Sequence, residues 1–136
     1  MMDRDIVGKV SIALVVDDEI VLREANEVFS RSYPDGGVKV LGQWQDFSAG
    51  FTMLKECKPT IAIIGVYSEE NKGALVLAEK VSASLPETHV FIISTNKEPE
   101  TLLSAMRAGI KECLIAPIDT DELVSAVERA KKQVDI

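Results

Sequence analysis

Three consecutive acids, Asp17-Asp18-Glu19, follow the apolar run Ile12-Ala13-Leu14-Val15-Val16. Acids at a strand-to-helix turn repel one another unless something compensates. A helix N-terminus can do so, because aspartate caps its free N–H groups. A hard cation such as Mg²⁺ is the other compensation, since it takes oxygen ligands and often only one or two carboxylates. The doublet Asp17-Asp18 leaves both open. After Ile61-Ala62-Ile63-Ile64 stands Gly65, with Tyr67, Ser68, Glu69 and Glu70 further out in what reads as a solvated loop. After Val90-Phe91-Ile92-Ile93 stands Ser94-Thr95-Asn96, whose hydroxyls could hold a phosphate oxygen or cap the next helix. After Cys113-Leu114-Ile115 stands Ala116-Pro117, which brings no positive charge. Cys57 and Cys113 lie far apart among apolar residues and read as buried free thiols. The lone His89 has no companion at ligand spacing and reads as the opening of a strand.

Other chemistries lack their residues. There is no glycine loop with a phosphate-binding lysine and no GxGxxG after a strand. There is no GxSxG elbow, and no cysteine or serine has a nearby histidine base. Catalysis would rest on Asp17 and Asp18 alone, so the chain reads as a non-enzyme. Its net charge of −7 repels phosphate backbones and anionic lipid, against direct nucleic-acid or membrane partners. No apolar run approaches the roughly 18 residues of a membrane span, and Met1-Met2-Asp3-Arg4-Asp5 lacks the basic start of a signal peptide. A cytoplasmic protein is expected.

The elements that must position these residues alternate in period. The apolar runs, rich in β-branched residues, suit strands covered on both faces, and the mixed Val38-Lys39-Val40-Leu41 suits an edge strand. Between them the apolar period is helical: Val21, Ala25, Val28 and Phe29; Phe47, Phe51 and Leu54; Ala74, Leu77, Ala78, Val81 and Leu85; Leu102, Ala105 and Met106; Leu123, Val127, Ala130 and Val134. Pro99 suits a first helical turn, Thr120 a helix cap, and Gly36-Gly37 and Gly65 chain turns. Five βα units in series predict an α/β domain, a parallel sheet with helices on both faces, as one unit over residues 1–136 with a core of about 9–132. In such sheets the site lies at the carboxyl ends of the strands.

Asp17-Asp18-Glu19, the segment Lys58-Pro59-Thr60-Ile61-Ala62-Ile63-Ile64, Val90-Phe91-Ile92-Ile93-Ser94-Thr95, Ala105-Met106-Arg107-Ala108-Gly109 and Pro117, in this order, resemble the receiver domain of two-component response regulators. The resemblance implies a doubly wound, flavodoxin-like five-stranded sheet of strand order 2-1-3-4-5. It places Gly65 at the phospho-acceptor aspartate, Ala116 at the lysine before the proline, and Cys113 at the aromatic switch position. Asp17, Asp18 and Ser94 keep the family's residue types, and Pro117 follows the lysine position. The pocket is therefore degenerate, and Asp17 and Asp18 would hold Mg²⁺ weakly at most, with no other cofactor.

By the same resemblance, the face of the fourth helix, fifth strand and fifth helix is the partner or dimer surface, here with Lys97, Arg107, Lys111, Glu112, Asp121, Glu122 and Glu128. Residues 105–114 are also similar to the N-terminal domains of tight-adherence pilus assembly ATPases of the TadZ/CpaE type. That likeness implies a ParA-like ATPase as a partner or as further chain. The leading expectation is a phosphorylation-independent interaction or dimerisation module. The alternative is a regulated receiver in phosphorelay signalling, using a non-standard acceptor around Tyr67 and Ser68 or a small ligand.

Overall fold

Strands made of β-branched residues on both faces can only be stable between two layers of helices, and the chain builds that sandwich. The computed structural model describes residues 10–95 and 98–135; Asn96 and Lys97 lie outside the described residues. Five strands, β1 (Val10–Val16), β2 (Val38–Trp44), β3 (Ile61–Tyr67), β4 (His89–Ser94) and β5 (Glu112–Ile115), form a parallel sheet of order 2-1-3-4-5. The helices are α1 (Glu19–Ser32), α2 (Phe47–Cys57), α3 (Gly73–Ser84), α4 (Pro99–Arg107) and α5 (Thr120–Asp135).

The period-2 alternation of the strands divides the core in two. Ile12, Leu14 and Val16 of β1 join Ile61, Ile63 and Phe91 beneath α1 and α5, where Val21, Ala25, Val28, Leu123 and Val127 close the layer. Ala13 and Val15 face the other way with Ala62, Ile64 and Ile92, beneath α2, α3 and α4. Every residue of β3 is buried, whereas β2 alternates between half-buried and exposed, as an edge strand should.

Several expectations are corrected. Gly65 is not a turn: β3 continues to Tyr67, and Gly65 pairs with Val16 on one side and Ile93 on the other. Asp119, not Thr120, caps α5, its Oδ1 accepting the Glu122 N–H at 3.0 Å. Aspartate reaches the orphan N–H more readily in the Asx geometry, and Thr120 already belongs to the helix. Met106 shares the helical period of the inward face of α4, yet it is 49% exposed, and Ala105 alone of that helix is buried. Cys57 and Cys113 are only half-buried.

The C-terminal end of α1 is tied to α5 by the Tyr33 hydroxyl, which donates to Glu128 Oε2 at 2.7 Å. Burial, and then the Glu128 carboxylate, hold the phenol above its ordinary value of 10.0. A raised phenol pKa favours the neutral form, so its stabilisation is complete below about pH 10 and is lost as pH climbs beyond it. Tyr33→Phe should cost about 1 kcal/mol at neutral pH by urea titration. The variant should also lack the phenol that ionises late in an ultraviolet pH titration of the parent. A Tyr33 ionising at its ordinary pH would contradict this contact.

Candidate functional site

The parallel register delivers Asp17, Asp18, Gly65, Ser94, Ala116 and Pro117 to one edge, the carboxyl ends of β1, β3, β4 and β5. The Asp17 N–H donates to the Gly65 carbonyl at 2.9 Å and the Ala116 N–H to the Ser94 carbonyl at 2.9 Å, so neighbouring strand ends are laced directly. His89 begins β4 at the opposite edge and takes no part; burial and the nearby Lys111 charge lower its pKa.

Each of the two acids is committed to a protein donor. Asp18 is the N-cap of α1: its Oδ1 accepts from the N–H groups of Ile20 and Val21 at 2.9 and 3.1 Å. Asp17 reaches across to β3, where Oδ1 accepts the Val66 N–H at 2.8 Å. Its Oδ2 accepts the side-chain amide of Asn71 at 2.7 Å. The same Asn71 nitrogen lies 3.4 Å from the Val66 carbonyl, and Asn71 Oδ1 accepts the Gly73 N–H at 3.3 Å, which fixes the orientation of the amide. Ser68 and Asn71 exchange backbone hydrogen bonds of 3.0 and 3.1 Å, and Ser68 Oγ also accepts the Asn71 N–H at 3.0 Å. The loop from β3 to α3 is thus folded onto Asp17 with an amide as its latch.

Asn71 is the site residue that the sequence does not announce, since residues 65–73 read as a solvated loop. A signal is present in the Ser-x-x-Asn-x-Gly spacing, which favours a local Asx turn. What that turn points at depends on the sheet register alone.

Gly65 is fully enclosed. A Cβ there would stand 2.9 Å from the Cβ of Ile93 and 3.3 Å from its carbonyl oxygen. The neighbour is a strand residue, with little freedom to retreat. Ser94 is buried, lies in β4 opposite Tyr67 and Ile115, and does not cap α4, which begins at Pro99. Tyr67 is also buried, while Thr95 donates its N–H and its hydroxyl to the Tyr67 carbonyl at 3.0 and 3.4 Å. Cys113 is half-buried in β5, and desolvation pushes its thiol up to about 11, which keeps it protonated and unreactive near neutrality.

Mg²⁺ demands a near-octahedral set of oxygens. Beside Asp17 and Asp18 stand a glycine and an amide N–H that donates to Asp17, and an N–H dipole so directed opposes a cation. Among the described residues no group of three carboxylate, histidine or cysteine side chains converges. This donor set does not fit the ion.

On the α4–β5–α5 face, Arg107, Lys111, Asp121 and Glu122 are exposed, together with Leu103 and Met106 of α4. Two of the charges expected there are already occupied. Glu112 receives both the Nε and an Nη of Arg129 at 2.8 and 2.9 Å, and Glu128 holds Tyr33 and lies 3.8 Å from Lys131. Lys97, expected on the same face, is outside the described residues.

Comparison with known proteins agrees with this architecture. The response regulator receiver domain family matches residues 13–128. The probable transcriptional regulatory protein NarL of Mycobacterium tuberculosis is 30% identical over 123 residues, which cover 90% of this chain and 56% of NarL. The transcriptional regulatory protein CitT of Bacillus subtilis is 26% identical over 97 residues, 71% of this chain and 42% of CitT. The chain spans about half the length of the curated relatives it matches. The solved receiver domain of the putative response regulator NarL superposes with a TM-score of 0.75 at 26% identity, covering 91% of this chain and 97% of that one. A putative pilus assembly-related protein from Burkholderia pseudomallei superposes with a TM-score of 0.69 at 23% identity, covering 93% of this chain and 92% of that one. By the family match over residues 13–128, the chain belongs to the response regulator receiver family.

Proposed function

We propose that this receiver works without a phosphoryl switch, as a constitutive protein-contact module in bacterial signalling. One observation carries the reading: the carboxylate of Asp17 is held by the Val66 N–H and the Asn71 amide, over a Gly65 that has neither a side chain nor room for one. A phosphoryl switch works by adding charge that a bistable element then reads. Here the acceptor position has no carboxylate, the lysine position is Ala116, and the loop is latched already. Signalling through permanent shape fits these residues better, in a cytoplasmic setting; among the described residues no helix is long and apolar enough to cross a membrane.

The test is direct. The protein is incubated with acetyl phosphate and Mg²⁺, and separately with beryllofluoride, then followed by intact mass and amide spectra. No mass gain and no shift at residues 65–71 are expected. A stoichiometric acyl phosphate would overturn the proposal. A phosphoester mapped to Tyr67 or Ser68 would overturn it equally and favour the regulated alternative, although burial of Tyr67 and the Ser68 turn weigh against it.

A narrower reading places the module in pilus assembly or localisation beside a ParA-like ATPase. The similarity of residues 105–114 to the TadZ/CpaE type favours it, and the fold likeness to the Burkholderia protein is compatible with it. Co-purification with a ParA-like ATPase, and its loss on Arg107→Glu, would support it.

A further inference from the structure

Helices α2 and α3 leave between them a groove of about 380 Å³. Phe47 and Phe51, one helical turn apart on α2, line one wall, and Val76 and Lys80 of α3 line the other over a buried Leu77. The groove opens beside Gly73, where a Cβ would approach the Phe47 ring to 3.1 Å; the bare glycine keeps that end clear. Val76 is 55% exposed, an apolar side chain left in water at the rim. Two ammonium groups converge on the same aromatic wall: Lys55 Nζ lies 4.5 Å and Lys80 Nζ 4.7 Å from the centroid of the Phe51 ring. Neither lysine forms an ion pair among the described residues. Drawing two like charges to one ring is unfavourable for them in isolation, and an anion between them relieves the repulsion. In a chain of net charge −7, such a focus of positive charge on apolar surface selects one kind of partner. Nucleic acid would carry its polyanionic backbone over acidic surface well beyond the groove, whereas a short acidic helix meets the groove alone, and a small anion would not use the apolar walls.

We infer that the α2–α3 groove, with Phe47, Phe51 and Val76 as its apolar contacts and Lys55 and Lys80 as its charged rim, is a docking surface for an acidic amphipathic helix of a partner protein. Such a helix lays its apolar residues along the slot and its carboxylates between the two ammonium groups. This docking deepens the contact-module reading and rests on it. The two fail separately, because a phosphoryl adduct is read by mass and groove occupancy by amide shifts.

The probe is a short helix-forming peptide with leucines on one face flanked by glutamates, titrated into the isotope-labelled chain at about 0.05 M salt. Shifts should cluster on residues 47–55 and 73–80. Affinity should fall about tenfold in Lys55→Glu/Lys80→Glu and return when the peptide's glutamates are replaced by lysines. Val76→Glu, a change at an exposed site, should weaken the glutamate peptide comparably and serves if the double variant does not fold. Shifts confined to the α4–β5–α5 face would overturn the inference. So would binding indifferent to charge reversal, absence of binding, or self-association that fills the groove without peptide.

Discussion

Gly65→Asp, which supplies a carboxylate where the proposed reading lacks one, will destabilise the protein by about 3 kcal/mol and lower its melting temperature by roughly 10 °C. It will not make the protein phosphorylatable. The new Cβ would stand 2.9 Å from the Cβ of Ile93, so either the β3–β4 pairing or the β1–β3 pairing must shift. The new carboxylate would also enter a buried position beside Asp17, where like charge and desolvation add to the steric cost. Gly65→Ala separates the two contributions: it carries the clash without the charge and should cost about 1–2 kcal/mol. Thermal unfolding of the pair, with beryllofluoride binding as a second readout, decides between them. A Gly65→Asp protein that keeps its stability and takes up beryllofluoride would mean that one carboxylate is all the pocket lacks, and the close β3–β4 packing and the Asn71 latch would then be no barrier to a phosphoryl switch.

Asp17→Ala is the second large effect, and its sign discriminates between two physical pictures. In a metal-free cation site, neighbouring carboxylates repel, and deleting one stabilises the fold. Here the Asp17 oxygens are the acceptors for the Val66 N–H and the Asn71 amide, so deletion should cost about 2 kcal/mol, as for hydrogen bonds to a charged group. Asn71→Ala should cost about 1 kcal/mol, and the double variant hardly more than Asp17→Ala alone, because both remove the same latch. Urea unfolding with and without millimolar Mg²⁺ measures this cycle. Mg²⁺ should leave the midpoint of the parent unchanged, since an ion stabilises only the state that binds it. A more stable Asp17→Ala protein, or a midpoint raised by Mg²⁺, would reinstate the cation.

The architecture was legible in the chain because it rests on periodicity. Apolar runs such as Ile61-Ala62-Ile63-Ile64 have nowhere to go but a doubly covered strand, and stripes such as Val21, Ala25 and Val28 can only face it. The acids at the end of β1 and the hydroxyl at the end of β4 were legible for the same reason, since strand ends in such sheets share an edge. The α5 cap at Asp119 and the exposure of Met106 were not. A cap depends on which of two adjacent residues leaves the helix first, and the side on which a short helix rests depends on packing a few ångströms away.

By itself, the order of residues determined the alternating elements and placed Asp17-Asp18, Gly65, Ser94 and Ala116 near the carboxyl ends of the strands. Tertiary structure alone decided which partners meet. Asn71 is 54 residues from Asp17, and Lys80 is on a different helix from Phe51; no local pattern encodes either meeting. Hydrogen bonds and charge contacts act over a few ångströms, while the register that brings such distant residues within reach comes from burial summed over the whole sheet.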